Sequence, residues 1–172
     1  MNHPPLLETP RLRLRLLSHD DFEFYYQLQS DPESMRYIRP PETDPAVVKE
    51  RIDTLVKYAG ENPGLGSMVA FWKETGEPVA TAVLRHVDYQ PQNELELGYV
   101  IAPGFRGRGL ATEIAQSIAE YAFERFAVPK VVAVTDPENL PSQKVLLKCG
   151  FRPKGRRFIY GSDCLEFELV KC

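Results

Sequence analysis

One loop in the middle of the chain carries the residue types best suited to binding a phosphate group. Gly107 and Gly109 lie two positions apart, and a helical pattern of apolar residues begins at Leu110. Because glycine adopts backbone conformations closed to other residues, successive N–H groups can converge on one anion at the positive end of a helix. Arg106 and Arg108 add local positive charge. The spacing indicates an anion cradle suited to a diphosphate, and a flexible glycine turn with two solvated arginines is the alternative.

Two familiar nucleotide-binding loops can be compared with this segment. Gly104 and Gly109 have the glycine spacing of a nucleotide-triphosphate loop, but Leu110 and Ala111 stand where that loop needs Lys and Ser or Thr. That loop is therefore excluded. A dinucleotide-binding loop is a closer match than the nucleotide-triphosphate loop. However, Thr112 occupies the position of its third glycine, and the chain has too few strand–helix–strand units for that fold. Dinucleotide binding stays open as an alternative.

Two glutamates could act as acid or base on a predicted strand at residues 94–101. Glu94 and Glu96 are two positions apart and so point to one face, with Leu95 and Leu97 on the other. Like charges close together favour a proton on one of the two carboxylates, which suits a general base. A pair of solvated carboxylates without a catalytic role is the alternative.

Hydrophobic periodicity predicts the elements that must position these residues. The predicted strands cover residues 11–17, 67–73, 79–87, 94–101, 131–134, 151–160 and 164–170. The predicted helices follow Ser18, run from Pro45 to a stop at Gly60, cover residues 110–126 as the longest helix, and follow Asn139 to Lys148. The order β α α β β β α β α β β predicts an α/β protein with a mixed sheet and one parallel crossover.

Composition and charge narrow the possible functions. The chain has 172 residues, 43% of them hydrophobic and 26% charged, and we expect one domain over residues 1–172 because domains average about 150 residues. A formal net charge of −3 gives no overall positive field, which argues against a nucleic-acid partner. The longest apolar runs are far below the ~18 residues of a membrane span, and residues 1–10 lack an apolar signal segment. We predict a cytoplasmic protein without a membrane partner, either monomer or homodimer.

Cysteine and histidine spacing does not indicate a metal site. The cysteines form neither a metal-spaced pair nor an even disulfide set, which fits a reducing compartment. They are Cys149, Cys164 and Cys172. The histidines share no ligand spacing, so no metal is predicted. They are His3, His19 and His86.

Several stretches together resemble the GNAT N-acetyltransferases. The pattern Arg-x-x-Gly-x-Ala at residues 106–111, after Gly-Tyr-Val-Ile at residues 98–101, resembles that family's acyl-CoA loop. Residues 8–15 and 31–37 resemble the opening of its RimJ/RimL-like branch, whose best-known members acetylate ribosomal-protein N-termini. Residues 139–151 resemble the second cofactor motif of that branch. The resemblance spans essentially the whole chain in the family's order.

The resemblance implies acetyl-CoA as cofactor and a single-domain GNAT fold in which two central strands splay apart to admit the pantetheine arm. Backbone groups of Val100 and Ile101 would pair with the pantetheine amides, and one of these N–H groups would meet the tetrahedral oxyanion. Asn139 and Ser142 would contact the cofactor from the other side. The residues that would bind the pyrophosphate are Arg106, Gly107, Arg108, Gly109, Leu110, Ala111 and Thr112.

The resemblance also implies roles in acyl transfer. Glu96 is the first candidate for the base, because the branch often has Glu two positions before the Gly of its Gly-Tyr pair, with Glu94 or a water chain as alternatives. Leu146 stands where many members have a tyrosine acid. Ser142 is the substitute that the branch suggests, and a purely structural place in the first turn of a capped helix is its alternative.

Together these roles predict an acetyl-CoA-dependent N-acetyltransferase, in which a primary amine attacks the thioester directly. The acceptor that the branch favours is a protein or peptide N-terminal α-amine. A small-molecule amine is an alternative acceptor. A CoA-sensing or partner-binding module without turnover is the alternative of another class, and the missing tyrosine is its motivation.

Overall fold

The computed structural model describes residues 4–87 and 94–172 of the chain. The strands are β1 (Leu7–Glu8), β2 (Leu12–Leu16), β3 (Gly66–Trp72), β4 (Pro78–His86), β5 (Leu95–Ile101), β6 (Lys130–Thr135), β7 (Arg152–Ile159) and β8 (Ser162–Val170). The helices are α1 (Phe22–Ser30), α2 (Pro32–Met35), α3 (Pro45–Glu61), α4 (Leu110–Arg125) and α5 (Leu140–Lys148). The strands form one mixed sheet in the order β1-β2-β3-β4-β5-β6-β8-β7.

The predicted order of elements is confirmed, and two short elements, β1 and α2, were not predicted. Two details differ. The longest helix is α3 with 17 residues, because it continues through Gly60 to Glu61, whereas α4 has 16. The predicted helix after Ser18 starts with a short 3₁₀ turn at His19–Asp21, for which Ser18 and Asp21 form a capping box.

The sheet separates two apolar cores, one on each face. Met68 and Ala70 of β3 belong to the larger core, in which α4 packs on the sheet. Val69 and Phe71 alternate with them and pack with α1 and α3 in the second core. Because successive strand residues point to opposite faces, α4 and the pair α1 and α3 cover opposite sides of the sheet.

The two central strands diverge after a short parallel contact. β5 and β6 pair only as Leu95 with Val131 and Glu96 with Val132. β5 nevertheless stays paired with β4 as far as Ile101, and β6 stays paired with β8 as far as Thr135. Each strand therefore continues along its outer neighbour while the inner pairing is lost. The expected splay is confirmed, and it opens a gap lined by backbone at the carboxyl ends of both strands.

Within the described ranges, no helix has the length and apolar character needed to cross a membrane. Those ranges also contain no cluster of three His, Cys, Asp or Glu side chains able to hold a metal ion. His19 lies beside Asp53 at 2.8 Å, and the N–H of His86 donates to the hydroxyl of Tyr58. His3 lies outside the described residues.

Helix α4 depends on its buried face, and this can be tested at Ile114, whose side chain is fully buried in the larger core. We expect Ile114→Ala to lower the free energy of unfolding by about 2–5 kcal/mol, because it removes buried methyl groups and leaves a cavity. Leu147→Ala on α5 is the control, since Leu147 is 52% exposed and should cost less than about 0.5 kcal/mol. Urea unfolding of both variants measures the difference, and equal losses would contradict this packing.

Candidate active site

The glycine loop adopts the backbone conformation that an anion cradle needs. Gly107 and Gly109 have φ angles of 77° and 78°, in the left-handed region that favours glycine. Gly109 is the N-cap of α4, and no side chain caps this end of the helix. The first N–H groups of a helix have no partner within it. The amides at the start of α4 are thus left for a ligand, at the positive end of the helix dipole.

The two arginines of the loop are exposed, but each is held by a contact. Arg106 donates from Nε to the carbonyl of Ile101 at 3.2 Å and from Nη2 to the Ser34 hydroxyl at 3.2 Å. The guanidinium of Arg108 lies over the ring of Phe105, 5.2 Å from its centroid. The loop is therefore fastened to the end of β5 and to α2, and it is not a freely flexible turn.

Two surface grooves meet at Thr112, in the first turn of α4. One, of about 410 Å³, runs along α4 beside Pro10 and Gly109. The other, of about 520 Å³, lies between α4 and α5 and is lined by Lys144 and Lys148. Sequence reasoning missed these two lysines, although their spacing of four positions places them on one face of a helix. They add positive charge next to the predicted phosphate cradle.

Hydrogen bonds at both ends of β5 show which of its backbone groups face the gap. The N–H of Ala102 donates to the carbonyl of Val79 at 2.9 Å, and the N–H of Val87 donates to the carbonyl of Glu94 at 3.3 Å. β4 and β5 keep one register between these bonds. Antiparallel pairs alternate between hydrogen-bonded and non-bonded. The even-numbered residues of β5 therefore bond to β4, and the odd-numbered ones face the gap.

This alternation changes one of the predicted cofactor contacts. Ile101 directs its N–H and C=O away from β4, as expected of a residue that binds the pantetheine arm, and the bond from Arg106 to its carbonyl agrees with this direction. The expectation for Val100 is corrected, because its backbone groups belong to the set that bonds to β4. Tyr99 supplies the second set of backbone groups that faces the gap. The sequence alone could have assigned this contact to Tyr99 only if the register between β4 and β5 had been known.

On the α4 side of the sheet, the structure brings together two hydroxyl groups. The hydroxyl of Tyr99 lies 3.1 Å from Oγ of Ser142, and the side chain of Asn139 caps α5 by accepting from the N–H of Ser142 at 3.2 Å. Burial raises the pKa of Tyr99 to about 12, so this hydroxyl stays protonated at neutral pH. Leu146, at the position where the resemblance implies a tyrosine in many members, is buried in the larger core. Tyr99 of β5 brings a phenol to Ser142 of α5 instead.

On the opposite face, both glutamates of the predicted pair are buried. Glu96 is 4% exposed, with its carboxylate 2.9 Å from Nη2 of Arg85 and 3.0 Å from the hydroxyl of Tyr160. Glu94 is 5% exposed and pairs with Lys130 at 3.1 Å. The interpretation as solvated carboxylates is wrong, because both side chains are buried and each is paired with a basic side chain. Glu96 is better placed than Glu94 to exchange a proton, because the side chains of Arg85 and Tyr160 connect its carboxylate to the protein surface.

Tyr160 links the closing hairpin to this carboxylate. It stands in the turn between β7 and β8 with φ of 54°, an uncommon conformation for a residue other than glycine. Its ring carries the guanidinium of Arg85 at 5.2 Å, and burial together with the charge of Glu96 raises the pKa of its hydroxyl. Sequence reasoning missed Tyr160 because 64 positions separate it from Glu96. Only the sheet order brings the two together.

Cys149 offers little as a nucleophile. Its thiol is half-buried, its Sγ lies 3.7 Å from the carbonyl of Thr112, and burial raises its pKa. The reactive form of a cysteine is the thiolate. Because the raised pKa lowers the fraction of Cys149 in the thiolate form at neutral pH, direct transfer of the acetyl group is favoured over a route through acetyl-cysteine.

Comparison with known proteins decides the family. Residues 11–152 match the family described as an acetyltransferase (GNAT) domain. The chain belongs to the GNAT acetyltransferase family. It is 30% identical over 150 residues to an uncharacterized N-acetyltransferase, p20, of Bacillus licheniformis, a match that covers 87% of this chain and 83% of that protein. The protein is an N-acetyltransferase, and acetyl-CoA is its acyl donor.

Solved structures of this family agree with the architecture. An acetyltransferase from Agrobacterium tumefaciens superimposes with a TM-score of 0.82 at 26% identity, covering 99% of this chain and 96% of that one. RimL, a ribosomal L7/L12 α-N-protein acetyltransferase solved with coenzyme A, gives a TM-score of 0.81 at 15% identity and covers 97% of this chain and 98% of its own. The uncapped start of α4 and its two left-handed glycines fit the phosphates of such a cofactor.

The left-handed glycines provide a test of the cradle. We expect Gly107→Ala and Gly109→Ala each to cost about 1–2 kcal/mol of stability, because a Cβ is strained at these φ angles, and to weaken CoA binding by turning the loop amides away. Gly104→Ala is the matched control, since Gly104 lies in the same loop without a positive φ and a Cβ there would meet nothing within 4 Å. Urea unfolding and calorimetric titration with CoA measure both effects. Equal CoA affinity in all three variants would argue against the cradle.

Proposed function

We propose that the protein acetylates the α-amine of a protein or peptide N-terminus, as a member of the RimJ/RimL-like branch, and that it does so in the cytoplasm. The observation that carries the choice of acceptor is the excess of arginine around Glu96. An α-amine has a pKa of about 8, against about 10.4 for a lysine-like amine. Positive surroundings favour a neutral amine, and an α-amine reaches that form with the smaller change in pKa.

The arginines come from three different segments. Arg85 on β4 pairs with Glu96. Arg51 on α3 donates to the side chain of Gln29 at 2.8 Å and lies 3.9 Å from the carboxylate of Glu42. Arg39 follows α2; partial desolvation lowers the pKa of Arg39, and the positive charges of Arg51 and Arg85 act in the same direction. Arg39 forms no ion pair with a carboxylate of the described residues. Three arginines thus stand against the two carboxylates of Glu42 and Glu96, and Arg39 supplies the excess positive charge.

A polyamine is the alternative acceptor suggested by a relative. Spermidine N(1)-acetyltransferase of Escherichia coli is 26% identical over 144 residues, covering 84% of this chain and 74% of that enzyme. A polycation would have to approach Arg39 and Arg85, and like charges repel. The arginine excess supports a singly charged acceptor over spermidine. A small molecule with one α-amine satisfies the same electrostatic requirement and is distinguished by experiment.

The proposed reaction uses both faces of β5. Bound acetyl-CoA supplies a thioester carbonyl at the gap. Glu96 takes the proton of the attacking amine through the hydroxyl of Tyr160, which donates to the carboxylate while it accepts from the amine. The N–H of Ile101 faces the gap and is placed to stabilise negative charge on the carbonyl oxygen. Ser142, held by Tyr99 at 3.1 Å, donates a proton to the departing thiolate and regains one from solvent, while Glu96 returns the proton of the amine to solvent.

The proposed cofactor contacts follow the same geometry. Tyr99 and Ile101 offer backbone groups to the pantetheine arm, and Asn139 and Ser142 border the arm from α5. The loop and the first turn of α4 bind the pyrophosphate through the residues Arg106, Gly107, Arg108, Gly109, Leu110, Ala111 and Thr112. Proximity of amine and thioester in this gap is itself worth a large part of the acceleration.

The acceptor is tested by incubating the protein with acetyl-CoA and a panel of peptides with free N-termini, the same peptides with blocked N-termini, single amino acids and spermidine. Mass spectrometry should show one acetyl group on the free α-amines and none on the blocked peptides or on spermidine. Preference for spermidine would overturn the proposed acceptor. Product from amino acids alone would assign a small molecule, and tight CoA binding without any product would favour a sensing module.

The base is tested with Glu96→Gln. We expect kcat to fall by about 10²-fold or more, the usual contribution of a general base, with CoA affinity unchanged. The loss should be greatest at low pH, because the variant depends on amine that is already neutral, and that fraction falls as pH drops below about 8.

Glu94→Gln is the matched control, since Glu94 is an equally buried glutamate on the same face of β5. It should keep the pH profile of the unmodified protein. Tyr160→Phe, which removes the hydroxyl between Glu96 and the surface, should fall between the two. If Glu96→Gln folds, binds CoA and keeps an unchanged pH profile, Glu96 is not the base.

A further inference from the structure

The opening of the chain reaches the cofactor loop through Arg11. Its Nε lies 2.9 Å from Oε1 of Glu113 in the first turn of α4, and its Nη2 donates to the carbonyl of Arg108 at 2.9 Å. The backbone N–H of Arg11 and the hydroxyl of Thr9 both donate to Oε2 of Glu113. One short segment before β2 therefore holds both the loop and the helix start.

The bond to Arg108 fixes the direction of one amide in the cradle. In a trans peptide the C=O and the following N–H point in opposite directions. Because the carbonyl of Arg108 points to Arg11, the N–H of Gly109 points away from Arg11. Gly109 can adopt many backbone conformations, so a partner outside the loop is needed to select one.

Arg11 also compensates a negative charge that opposes anion binding. Burial acts to raise the pKa of Glu113, but the hydrogen bonds from Thr9 and Arg11 outweigh it, and the pKa of Glu113 lies below its usual value. The carboxylate is thus ionised at neutral pH, in the turn that would meet a pyrophosphate. The guanidinium of Arg11 compensates that negative charge at 2.9 Å.

Aromatic contacts complete the connection between Arg11 and the loop. The guanidinium of Arg11 lies over the ring of Trp72, 5.7 Å from its centroid. Trp72 is 6.3 Å from the ring of Phe105, and Phe105 in turn carries Arg108. Arg11 consequently touches the loop both directly and through β3.

We propose that Arg11 is a positioning residue for the cofactor, which orients the Arg108–Gly109 peptide and compensates Glu113 so that the loop amides can bind the CoA pyrophosphate. This inference rests on the proposed cofactor contacts of the loop. It gives a physical role to the opening stretch at residues 8–15, which the reaction itself does not use. Thr9 supports the same role by bonding the far oxygen of Glu113.

The test compares Arg11→Gln with the unmodified protein, using CoA in calorimetry and two acyl donors in kinetics. We expect the Kd for CoA and the KM for acetyl-CoA to rise about ten- to hundredfold, the range for loss of a charged hydrogen bond, with little change in kcat. With S-acetylpantetheine, which has the thioester arm but no pyrophosphate, kcat/KM should stay within about twofold. A general structural defect would lower kcat/KM for both donors.

Further variants separate the parts of the proposal. Arg11→Lys should recover part of the affinity, since it keeps a positive charge beside Glu113. Arg11→Gln combined with Glu113→Gln should remain weak, because the Arg108–Gly109 peptide is still unheld; full recovery would reduce the role to charge compensation and overturn the orienting step. Arg13→Gln is the matched control, since Arg13 forms an exposed ion pair with Glu8 away from the loop.

The outcomes also distinguish this inference from the proposed function. If the unmodified protein binds CoA and Arg11→Gln binds it equally well, the positioning role is wrong while the function stands. If the unmodified, folded protein binds no CoA, the proposed contacts of the loop fail first.

Discussion

The loss of hydrogen bonding between β5 and β6 is the constraint on which the rest of the site depends. Two strands that pair at Glu96 and Val132 and then separate leave backbone N–H and C=O groups without a strand partner. Backbone N–H and C=O groups need hydrogen-bond partners, and a ligand that carries its own amides can supply them. In the proposed complex the pantetheine arm is that ligand. The lost pairing in the sheet thus provides the groups that would bind the cofactor.

The gap also explains why the two proton transfers are proposed on opposite faces of one strand. Glu96 and Tyr99 are three positions apart on β5, so their side chains point to opposite sides of the sheet. Glu96 meets Arg85 and Tyr160 on one side, and Tyr99 meets Ser142 on the other. In the proposed reaction the attacking amine and the departing thiolate therefore meet separate polar groups. The arrangement keeps the base and the acid from neutralising each other.

Local patterns predicted most of the fold, because alternation and helical spacing are properties of short segments. The glycine loop was predicted for the same reason, since Gly107, Gly109 and the start of α4 are neighbours in sequence. The partners of Glu96 were not, because Tyr160 reaches it only through the order β5-β6-β8-β7. The pantetheine contact expected of Val100 was wrong because of the register between β4 and β5, which the sequence of one strand does not reveal. Long-range pairing is what a single sequence leaves undetermined.

A glycine loop that binds phosphates faces two opposing requirements. It must be able to adopt left-handed conformations, and it must not sample many others before the ligand arrives, because ordering it then reduces affinity. Gly107 and Gly109 meet the first requirement. Contacts from outside the loop meet the second: Arg106 ties its start to Ile101, and Arg11 holds the carbonyl at its end. The glycines therefore permit the left-handed conformations, and the contacts of Arg106 and Arg11 hold the loop in them before a ligand binds.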